Sequence, residues 1–561
     1  MAERITRVYS SFRGVDFRGE EINLLRSPDA LNVWKNYKHT ESIETRPGMM
    51  LSTPFTEPVH GIFFYNDKTL VHSGNKLYRV STNATEVLYE GLKEAKSDSF
   101  IYDDIFYLKD GLHYLKYDGN AIGDVVGYIP TTTIARKPMG GGTTYEDVNM
   151  LSAYRKNSFL ADGVSFSFFL DVMNIDTDYV PVVTVNDKVA DVSTYTVDYA
   201  EGKITFTNTP PDAPLTDGQD NVVIQFKKAV PEYTECIEKC SLLQVFDNRV
   251  FFSGNPDHPN MVWNSSLNDP SYVSDLDYYK EGMDTAAVRG LVAGNNALWV
   301  FREPSDANTT VFYHTPALDE EYGKVYPSVH SSITTGCIGS AVNFNDDIVF
   351  FSERGMEGIS GDVTTEQAVA HRSSLVDRKM TSEADYKNMV LAEWKGYLLV
   401  FIGKSVYLAD SRSMFQNENH LEYEFFFWEL DKAVTCATVK DGILYLGTSG
   451  GVYTLAAEEA SVESYWVTPL DKFKNPNKLK TTNKRGSVVE SSGEEISVYA
   501  KTDQDESFEL IDTFYDITDA FVLRMKKKKW KDLQLKFHTT KRFVLEAVTL
   551  EVFVGGYVKR V

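Results

Sequence analysis

The sequence has little of what holds small secreted proteins together or carries a chain across a membrane. Only four of its 561 residues are cysteine (Cys236, Cys240, Cys337 and Cys436), which is too few for a disulfide scaffold, and they lack the C-x-x-C pairs of a zinc site. No run approaches the ~18 consecutive apolar residues of a membrane-spanning helix. The first residues, MAERITRVYSSFRG, lack the apolar core of a secretory signal. These absences predict a chain that folds in a reducing cytosol without a membrane anchor.

Basic residues are also scarce relative to acidic ones. Lys and Arg number 57 and Asp and Glu number 80, so the formal net charge is −23. This balance excludes a chain-wide basic surface for gripping nucleic acid. Hydrophobic residues make up 42% and charged residues 24%, which is the composition of a folded globular chain rather than a disordered one. The length predicts roughly three to four domains.

Short signatures of catalysis and cofactor binding are missing. The sequence has no H-E-x-x-H, no G-x-S-x-G and no G-x-x-x-x-G-K-[ST]. The glycine run Gly140-Gly141-Gly142 is not followed by a Lys-Thr helix start, and His258 and His314 do not have metal-ligand spacing. We therefore predict no catalytic, cofactor-binding or metal-binding residues, no cofactor and no enzymatic activity.

What the sequence does contain is a recurring unit of three short apolar strands joined by tight polar turns such as Asn-Asp, Asp-Gly and Gly-Asn, which are typical of β-hairpins. The unit occurs seven times, at Gly61–Val80, Asp98–Tyr117, Leu242–Ser265, Gly290–Thr315, Ala341–Gly361, Met389–Asp410 and Thr435–Ala456. Successive units start 37 to 51 residues apart, except for one interval of 144. The ordinary spacing is that of β-propeller blades, each of which needs a fourth strand from a connecting segment.

These intervals predict an all-β chain, a β-propeller of six or seven blades with seven favoured. The segment 1–56 is partly irregular and is a candidate to close the propeller. Blades occupy 57–132 and 233–461. The long interval predicts an inserted β-sandwich domain at 133–232, where alternating strands are separated by Asn186-Asp187, Glu201-Gly202 and Pro210-Pro211. A C-terminal β-sandwich-like domain is predicted at 462–561.

Two local features belong to the flanking segments. The residues Asp29 to Trp34 predict a short helix, with Ser27 as its cap and Pro28 at its first position. The run Met139-Gly140-Gly141-Gly142-Thr143 predicts a flexible hinge beside the insertion.

Carboxylates are candidates for glycoside hydrolysis, which needs two of them on either side of a sugar. The conspicuous ones are the pairs Asp103-Asp104 and Asp346-Asp347 and the single Asp441. Each occupies the hairpin turn of its unit, where Asp is favoured because its side chain bonds the local backbone. The run Asp319-Glu320-Glu321 lacks calcium-loop spacing and is typical of a solvated face.

One cluster is basic, Arg524-Met525-Lys526-Lys527-Lys528-Lys529-Trp530-Lys531. Three interpretations remain open: a grip on a phosphate backbone, a strand edge protected by lysine, or a contact with an acidic neighbouring subunit. Five tryptophans fall in or at the ends of strands and are predicted to fill the core, namely Trp263, Trp299, Trp394, Trp428 and Trp466.

Three segments of the sequence are informative together. They are RSPDALNVWKNYKHTESIETRPGM (Arg26 to Met49), FDNRVFFSGNPDHPNMVWNSSLNDPSYV (Phe246 to Val273) and FVGGYVKR (Phe553 to Arg560). These segments resemble the stabilisation, tail-hub or tail-nozzle proteins of short-tailed bacteriophages. The resemblance extends over nearly the full length but is spread across several modest motifs.

The resemblance implies a structural virion protein of the phage neck or tail, folded in the bacterial cytoplasm. Its copies would form a ring, usually of six, that joins the portal or its adaptor and contacts tail fibre or needle proteins. Packaged DNA would be retained and later ejected through the ring without sequence-specific binding. A glycan-degrading or receptor-binding tail component with a propeller fold is the alternative.

Overall fold

A computed structural model of the chain describes residues 3–37, 42–81, 84–306, 309–320, 323–360, 363, 368–457, 461–483, 486–525 and 527–557. Strands account for 53% of the chain and helix for 3%, so the protein is all-β and is built from many small sheets. No helix in these ranges is long and apolar enough to span a membrane.

The first part of the chain contains thirteen strands. In the N-terminal segment they are β1 (Glu3–Tyr9), β2 (Ala30–Leu31), β3 (Val33–Trp34), β4 (Ile43–Thr45) and β5 (Gly48–Pro54). The first two repeated units then supply β6 (Val59–Tyr65), β7 (Lys68–Ser73), β8 (Lys76–Val80), β9 (Thr85–Glu90), β10 (Asp98–Tyr102), β11 (Ile105–Lys109), β12 (Tyr114–Tyr117) and β13 (Ile122–Asp124).

The insertion follows. Its strands are β14 (Thr131–Arg136), β15 (Thr143–Thr144), β16 (Tyr154–Phe159), β17 (Ser167–Phe169), β18 (Val182–Val185), β19 (Lys188–Val189), β20 (Tyr195–Asp198), β21 (Lys203–Phe206) and β22 (Val222–Lys227), with a 3-10 turn at Val192–Thr194.

The remaining repeated units begin after a short helix, α1 (Tyr233–Glu238). Their strands are β23 (Leu242–Phe246), β24 (Arg249–Ser253), β25 (Met261–Asn264), β26 (Tyr278–Lys280), β27 (Val288–Gly294), β28 (Ala297–Arg302), β29 (Val311–His314), β30 (Ala317–Asp319), β31 (Gly323–Val325), β32 (Ser328–His330), β33 (Ala341–Phe344), β34 (Asp347–Ser352), β35 (Gly355–Ile359) and β36 (Val369–His371). After helix α2 (Asp377–Met380) and a 3-10 turn at Tyr386–Asn388 come β37 (Val390–Trp394), β38 (Tyr397–Ile402), β39 (Ser405–Asn417), β40 (His420–Glu429), β41 (Val434–Lys440), β42 (Ile443–Thr448) and β43 (Gly451–Ala457).

The C-terminal part contains eight strands. They are β44 (Ser464–Val467), β45 (Lys478–Thr482), β46 (Val488–Thr502), β47 (Glu509–Ile517), β48 (Ala520–Val522), β49 (Lys528–Trp530), β50 (Leu533–Thr539) and β51 (Phe543–Tyr557).

Each of the seven repeated units forms the first three strands of a four-stranded sheet. The strand orders are β6-β7-β8-β9, β10-β11-β12-β13, β23-β24-β25-β26, β27-β28-β29-β32, β33-β34-β35-β36, β37-β38-β39-β40 and β41-β42-β43-β5. In six of these sheets the fourth strand comes from the segment that follows the unit. In the seventh it is β5, from near the N-terminus, which pairs antiparallel with β43.

Tight turns explain why these strands fold back on one another. At Asp103-Asp104, Asp247-Asn248, Asn295-Asn296 and Asn345-Asp346, both residues have left-handed backbone, with φ between 48° and 65°. This is the geometry of the two-residue hairpin turn whose twist matches the flanking strands, and Asn and Asp tolerate it better than most residues.

The chain divides into two compact units. The first comprises Met1–Val87, Phe301–Val311 and His330–Val561, and the second comprises Leu88–Val300 and Phe312–Val329. In the core of the first unit, Trp34 stacks on Trp394 with ring centroids 5.4 Å apart and meets Trp428 edge-on at 5.8 Å. All three indoles are buried. Aromatic side chains of this size dominate core energetics, and their edge and offset contacts add to the burial term.

Within the second unit, the insertion has a core of its own. A six-stranded sheet (β15-β14-β16-β22-β18-β19) and a three-stranded sheet (β17-β21-β20) share it. Phe159, Phe168, Ile204 and Phe226 are among the residues buried there. Two sheets that bury their alternate residues against each other form a stable layered arrangement.

The two ends of the chain meet in one sheet of the first unit. Strands β1 to β4 join β44 to β51 in a twelve-stranded sheet whose main path is β2-β44-β50-β46-β51-β4-β3. From the sequence, 1–56 and 462–561 are predicted to be separate regions, because pairing between strands more than 400 residues apart leaves no local signal.

The predicted N-terminal helix is wrong. Residues 30–31 and 33–34 are the short strands β2 and β3, and Asn32 between them has a left-handed φ of 56°. The Ser27 hydroxyl donates to the carbonyl oxygen of Val467 rather than capping a helix. Pairing of β2 with β44 therefore overrides the local preference.

The predicted hinge lies inside the insertion's own sheet. Gly140, Gly141 and Gly142 form the turn between β14 and β15, and all three have positive φ. The Arg136 guanidinium donates to the carbonyl oxygen of Gly141 at 2.7 Å. The run is thus a hydrogen-bonded turn in the structure rather than a linker.

Candidate functional site: a carboxylate cluster on β34, β35, α2 and β40

The carboxylates singled out in the sequence lie in hairpin turns, as their backbone shows. Asp103, Asp104, Asp346 and Asp441 all have left-handed φ. Asp347, the first residue of β34, differs from them because its carboxylate is held by two bonds from the Arg372 guanidinium, at 2.8 and 3.3 Å. Asp347 belongs to a cluster of acids that was not predicted from the sequence.

A histidine lies between two carboxylates of this cluster. Nδ1 of His371 is 3.2 Å from a carboxylate oxygen of Glu357, and Nε2 is 2.6 Å from one of Asp377. Burial alone would lower the pKa of His371, but the bonds to Asp377 and Glu357 raise it to about 10. The imidazole is therefore positively charged at neutral pH and is paired on both sides.

A glycine allows α2, which begins with Asp377, to lie close to the start of β35. Gly355 begins β35 with φ of +137°, and a Cβ atom added there would lie 2.2 Å from a carboxylate oxygen of Asp377. A side chain at this position would push α2 away from β35. The Asp377 carboxylate also accepts the Ser373 hydroxyl at 2.6 Å.

Two further acids come from β40, whose sequence HLEYEFFFWE buries seven consecutive residues, Glu422 to Trp428. Glu422 and Glu424 lie two residues apart and so face the same side of the strand. Burial opposes ionisation of Glu422, yet bonds from Ser374 and Asn417 hold its pKa below the usual value. Burial raises the pKa of Glu424 even though Arg26 contacts both of its oxygens at 2.8 Å.

The chemistry of the cluster follows from this pairing. Glycoside hydrolysis requires one acid that can give up a proton and a second that is free to attack or to activate water. Here Asp347, Glu357, Asp377, Glu422 and Glu424 each bond an arginine, a histidine or a hydroxyl of the same unit. These bonds join β34, β35, α2 and β40 to neighbouring segments of that unit. No group of three or more His, Cys, Asp or Glu side chains suited to a metal ion is found in the residues the structure describes.

Two lysines of the basic cluster, Lys527 and Lys531, pair with acids of their own unit. Lys527 bonds Asp505 at 2.8 Å and also contacts Glu509, and Lys531 lies 3.8 Å from Asp503. The strand β49 pairs with β45. Lys526 and the side chain of Lys528 lie outside the described residues, as does Glu321 of the predicted acidic run.

The other residues singled out are structural where they are described. The five tryptophans predicted to lie in the core are buried, at 0–7% exposure. His314 is fully buried in the second unit, where Nε2 is 3.0 Å from Glu281 and Nδ1 is 2.9 Å from the carbonyl oxygen of Tyr326. The ring of His258 packs against Trp263. All four cysteines are free thiols.

Two of the residues that were not predicted, Glu422 and Glu424, have a signal in the sequence. Glu422 and Glu424 interrupt an otherwise apolar strand, and a charged residue in such a strand is either exposed or paired when buried. That pattern identifies the acids but not their partners, because Arg26 and Ser374 lie far from them in the sequence.

Comparison with known proteins gives little beyond this. No protein-family model matches the chain, and no curated protein matches it. Among solved structures, BamB from Moraxella catarrhalis is 10% identical, covers 73% of this chain and 96% of its own, and has a TM-score of 0.33. The designed protein Ika8 is 10% identical over 73% of this chain and 99% of its own, at 0.32. An exo-beta-1,3-galactanase from Phanerochaete chrysosporium is 9% identical over 56% of this chain and 94% of its own, at 0.21. Scores this low carry no argument, so the description of a propeller-like, all-β chain depends on its strand pairing.

Proposed function

We propose that this chain is a structural protein of a tailed bacteriophage, a ring-forming subunit of the neck or tail related to tail-nozzle and stabilisation proteins. In this proposal six copies join the portal or its adaptor, retain packaged DNA and line the path of its ejection. The resemblance of the segment from Arg26 to Met49 is the starting point, and the role of that segment in the fold supports it.

The residues of this segment hold the first unit together. Arg26 pairs with Glu424, and the Asn32 side chain accepts from the backbone of Glu429 at 2.9 Å and from Arg46 at 2.8 Å. Trp34 is part of the central aromatic group. A motif whose members form internal bonds favours a scaffold over a catalyst, and this is the observation that carries the proposal.

We further propose that the seven four-stranded sheets are the blades of a closed propeller. Strand β5 supports this because it completes the sheet of β41 to β43 from the opposite end of the chain. Sharing a sheet between the first and last parts of a chain closes a ring of blades and leaves only short edges. The insertion at 133–232 and the sheet that joins β1–β4 to 462–561 would then be additional domains on this disc.

The charge of the chain suits a conduit for DNA. A net charge of −23 repels a polyanion, so DNA would pass along such a surface without being retained by it. The pairing of lysines in the basic cluster with Asp503, Asp505 and Glu509 supports the same interpretation, because it leaves fewer cations for phosphate.

Cryo-electron microscopy of particles of the phage that encodes the chain tests the proposal. We expect a ring of this chain between the portal and the distal end of the tail. Absence of the chain from purified particles, or its location in the capsid shell or a fibre, would refute the proposal. Release of reducing sugar from host surface glycan by the purified chain would instead support the glycan-degrading alternative.

A further inference from the structure

A polar cavity of about 290 Å³ opens at one end of the insertion. It lies where the turn between β18 and β19 meets the long loop that leads into β22. Its walls are Thr184, Asn186, Asp187, Gln219 and Asp220, and Pro214 and Leu215 form its apolar side. The volume is near the lower end of the range of ligand pockets, ~300–1,000 Å³.

The walls of the cavity are fixed by hydrogen bonds. Asn186 and Asp187 have left-handed φ of 47° and 62°, and the Asn186 amide N–H donates to the carbonyl oxygen of Asn221 at 2.8 Å. The side chain of Asn221 accepts from the backbone of Ala161 at 3.0 Å and donates to the carbonyl oxygen of Asp212 at 2.8 Å. The side chain of Asn221 therefore links the loop at Asp212 to Ala161, in the segment that follows β16.

Several polar groups in the cavity are not used by the fold. In the part of the chain that the structure describes, the side chains of Thr184, Asn186, Asp187 and Gln219 make no hydrogen bond. Asp220 uses one oxygen to accept the backbone N–H of Ala135 at 2.9 Å. Two amides, a hydroxyl and two carboxylates thus offer donors and acceptors side by side.

An apolar surface lies next to these groups. Leu215 is fully exposed to solvent, and Pro214 precedes it in a loop that also contains Pro210 and Pro211. A ligand in the cavity would meet directional polar groups on one side and an aliphatic surface on the other.

We propose that this cavity binds a neutral saccharide. Sugar hydroxyls both donate and accept hydrogen bonds, so they match a wall of amides, a hydroxyl and carboxylates, and the aliphatic C–H face of a sugar ring matches Pro214 and Leu215. Asp187 and Asp220 would repel phosphate and other anions. Calcium sites in proteins usually combine several carboxylates with other oxygen ligands, whereas only two carboxylates line this cavity, and no group of three or more His, Cys, Asp or Glu side chains suited to a metal ion is found among the described residues. The inference goes beyond the structural role proposed above and does not depend on it.

Binding of the purified full chain to an array of neutral oligosaccharides, followed by calorimetric titration of the array ligands retained, tests the proposal. We expect Asp187→Asn and Gln219→Ala each to weaken binding about tenfold or more, because the first replaces a charged acceptor by a weaker neutral one and the second removes an amide that bonds the ligand. Asp217→Asn is the matched control, since Asp217 lies in the same loop but does not line the cavity. It should bind like the unchanged chain, and circular dichroism should show all three variants folded.

The source of the saccharide is decided by a second arm, in which the labelled chain is added to host cells with and without the soluble array ligand. Competition for cell binding would identify a surface glycan, and binding of the soluble sugar alone would identify a free one. Three results overturn the proposal: no retention of any oligosaccharide, unchanged affinity of both cavity variants, or binding of calcium alone that depends on Asp187 while no sugar binds.

Discussion

Replacing Arg26 by methionine tests whether the buried ion pair with Glu424 holds the N-terminal segment in place. The Arg26 and Glu424 side chains are 8% and 0% exposed, and two bonds of 2.8 Å join them. Removing one partner of such a pair leaves a buried charge and costs about 3–5 kcal/mol. Arg13, whose side chain is 44% exposed, lies 3.8 Å from Glu424 and compensates in part, so we expect a loss near the lower end of that range.

The loss should depend on pH in a defined direction. Burial already raises the pKa of Glu424, and removing Arg26 removes the main interaction that favours its ionised form. An acid with a raised pKa in the folded state destabilises that state when it is ionised and ceases to do so as the pH falls through that pKa. The difference in unfolding free energy between R26M and the unchanged chain should therefore shrink from pH 7 to pH 5.

Urea unfolding followed by tryptophan fluorescence measures this loss, because five of the seven tryptophans lie in the first unit: Trp34, Trp394, Trp428, Trp466 and Trp530. K472M is the control, since Lys472 pairs with Glu21 and the two side chains are 37% and 60% exposed, so that its loss should cost about 1 kcal/mol at most. The double variant R26M/E424M should recover part of the loss. A loss below about 1 kcal/mol for R26M, or an equal loss for K472M, would refute the reasoning.

Three further predictions concern the first unit. Because the pKa of His371 is raised to about 10, its ion pairs stabilise the fold fully below pH ~6.5, and this stabilisation is lost as the pH rises through 10. The variant His371→Gln lacks these ion pairs, so its melting temperature should decline less between pH 7 and 10 than that of the unchanged chain. An equal decline in both proteins would contradict this. Deletion of residues 1–56 removes β5 and exposes the edge of β43, so size-exclusion chromatography should show aggregation rather than a monodisperse chain. Gly451→Ala should lower the free energy of unfolding in urea by about 1–3 kcal/mol, because φ at Gly451 is +128° and the new Cβ would lie 2.3 Å from the Thr53 carbonyl oxygen. Gly442→Asn is the control, since Gly442 has open space around it and the substitution should cost far less. Similar losses in the two variants would contradict the steric argument.

The repeated strands could be predicted from the sequence because their signals are local. Alternation of apolar and polar residues marks a strand within a few positions, and a pair such as Asn345-Asp346 marks its turn. All seven three-stranded units correspond to strands of the structure. The fourth strands were harder to place because several are short and lie well beyond the unit, such as β26 and β32.

The segment 1–56 could be predicted as a candidate to close the propeller, but the partner strands of distant segments could not. The strand β5 adds to β43 across some 400 residues, and nothing in the residues Gly48–Pro54 specifies that partner. The false helix at Asp29 to Trp34 has the same cause. Ser27 and Pro28 satisfy the local rules for the start of a helix. However, a helix of about two turns has little stability of its own, and the pairing of β2 with β44 outweighs it.

The candidate site also has a part that could be predicted from local sequence and a part that could not. Aspartates in turns were identified because a turn requires only its own residues. The cluster around His371 was missed because Glu357, Asp377 and Arg372 meet only after β35, β36 and α2 have packed. Glutamates within the apolar strand β40 were the visible sign of buried pairing, and such residues merit attention in any strand that is otherwise apolar.

The basic cluster illustrates why a charge run alone does not define a partner. Its three interpretations differ only in what lies opposite the lysines, which composition cannot specify. In the structure Lys527 meets Asp505 and Glu509 from the adjoining hairpin, so part of the charge is neutralised within the unit. Lys527 and Asp505 are 19% and 13% exposed, whereas Glu509 is 60% exposed. One consequence of the pairing is electrostatic, because it lowers the local positive potential. This pairing reduces the attraction of the surface for a polyanion, as the conduit proposed above would require.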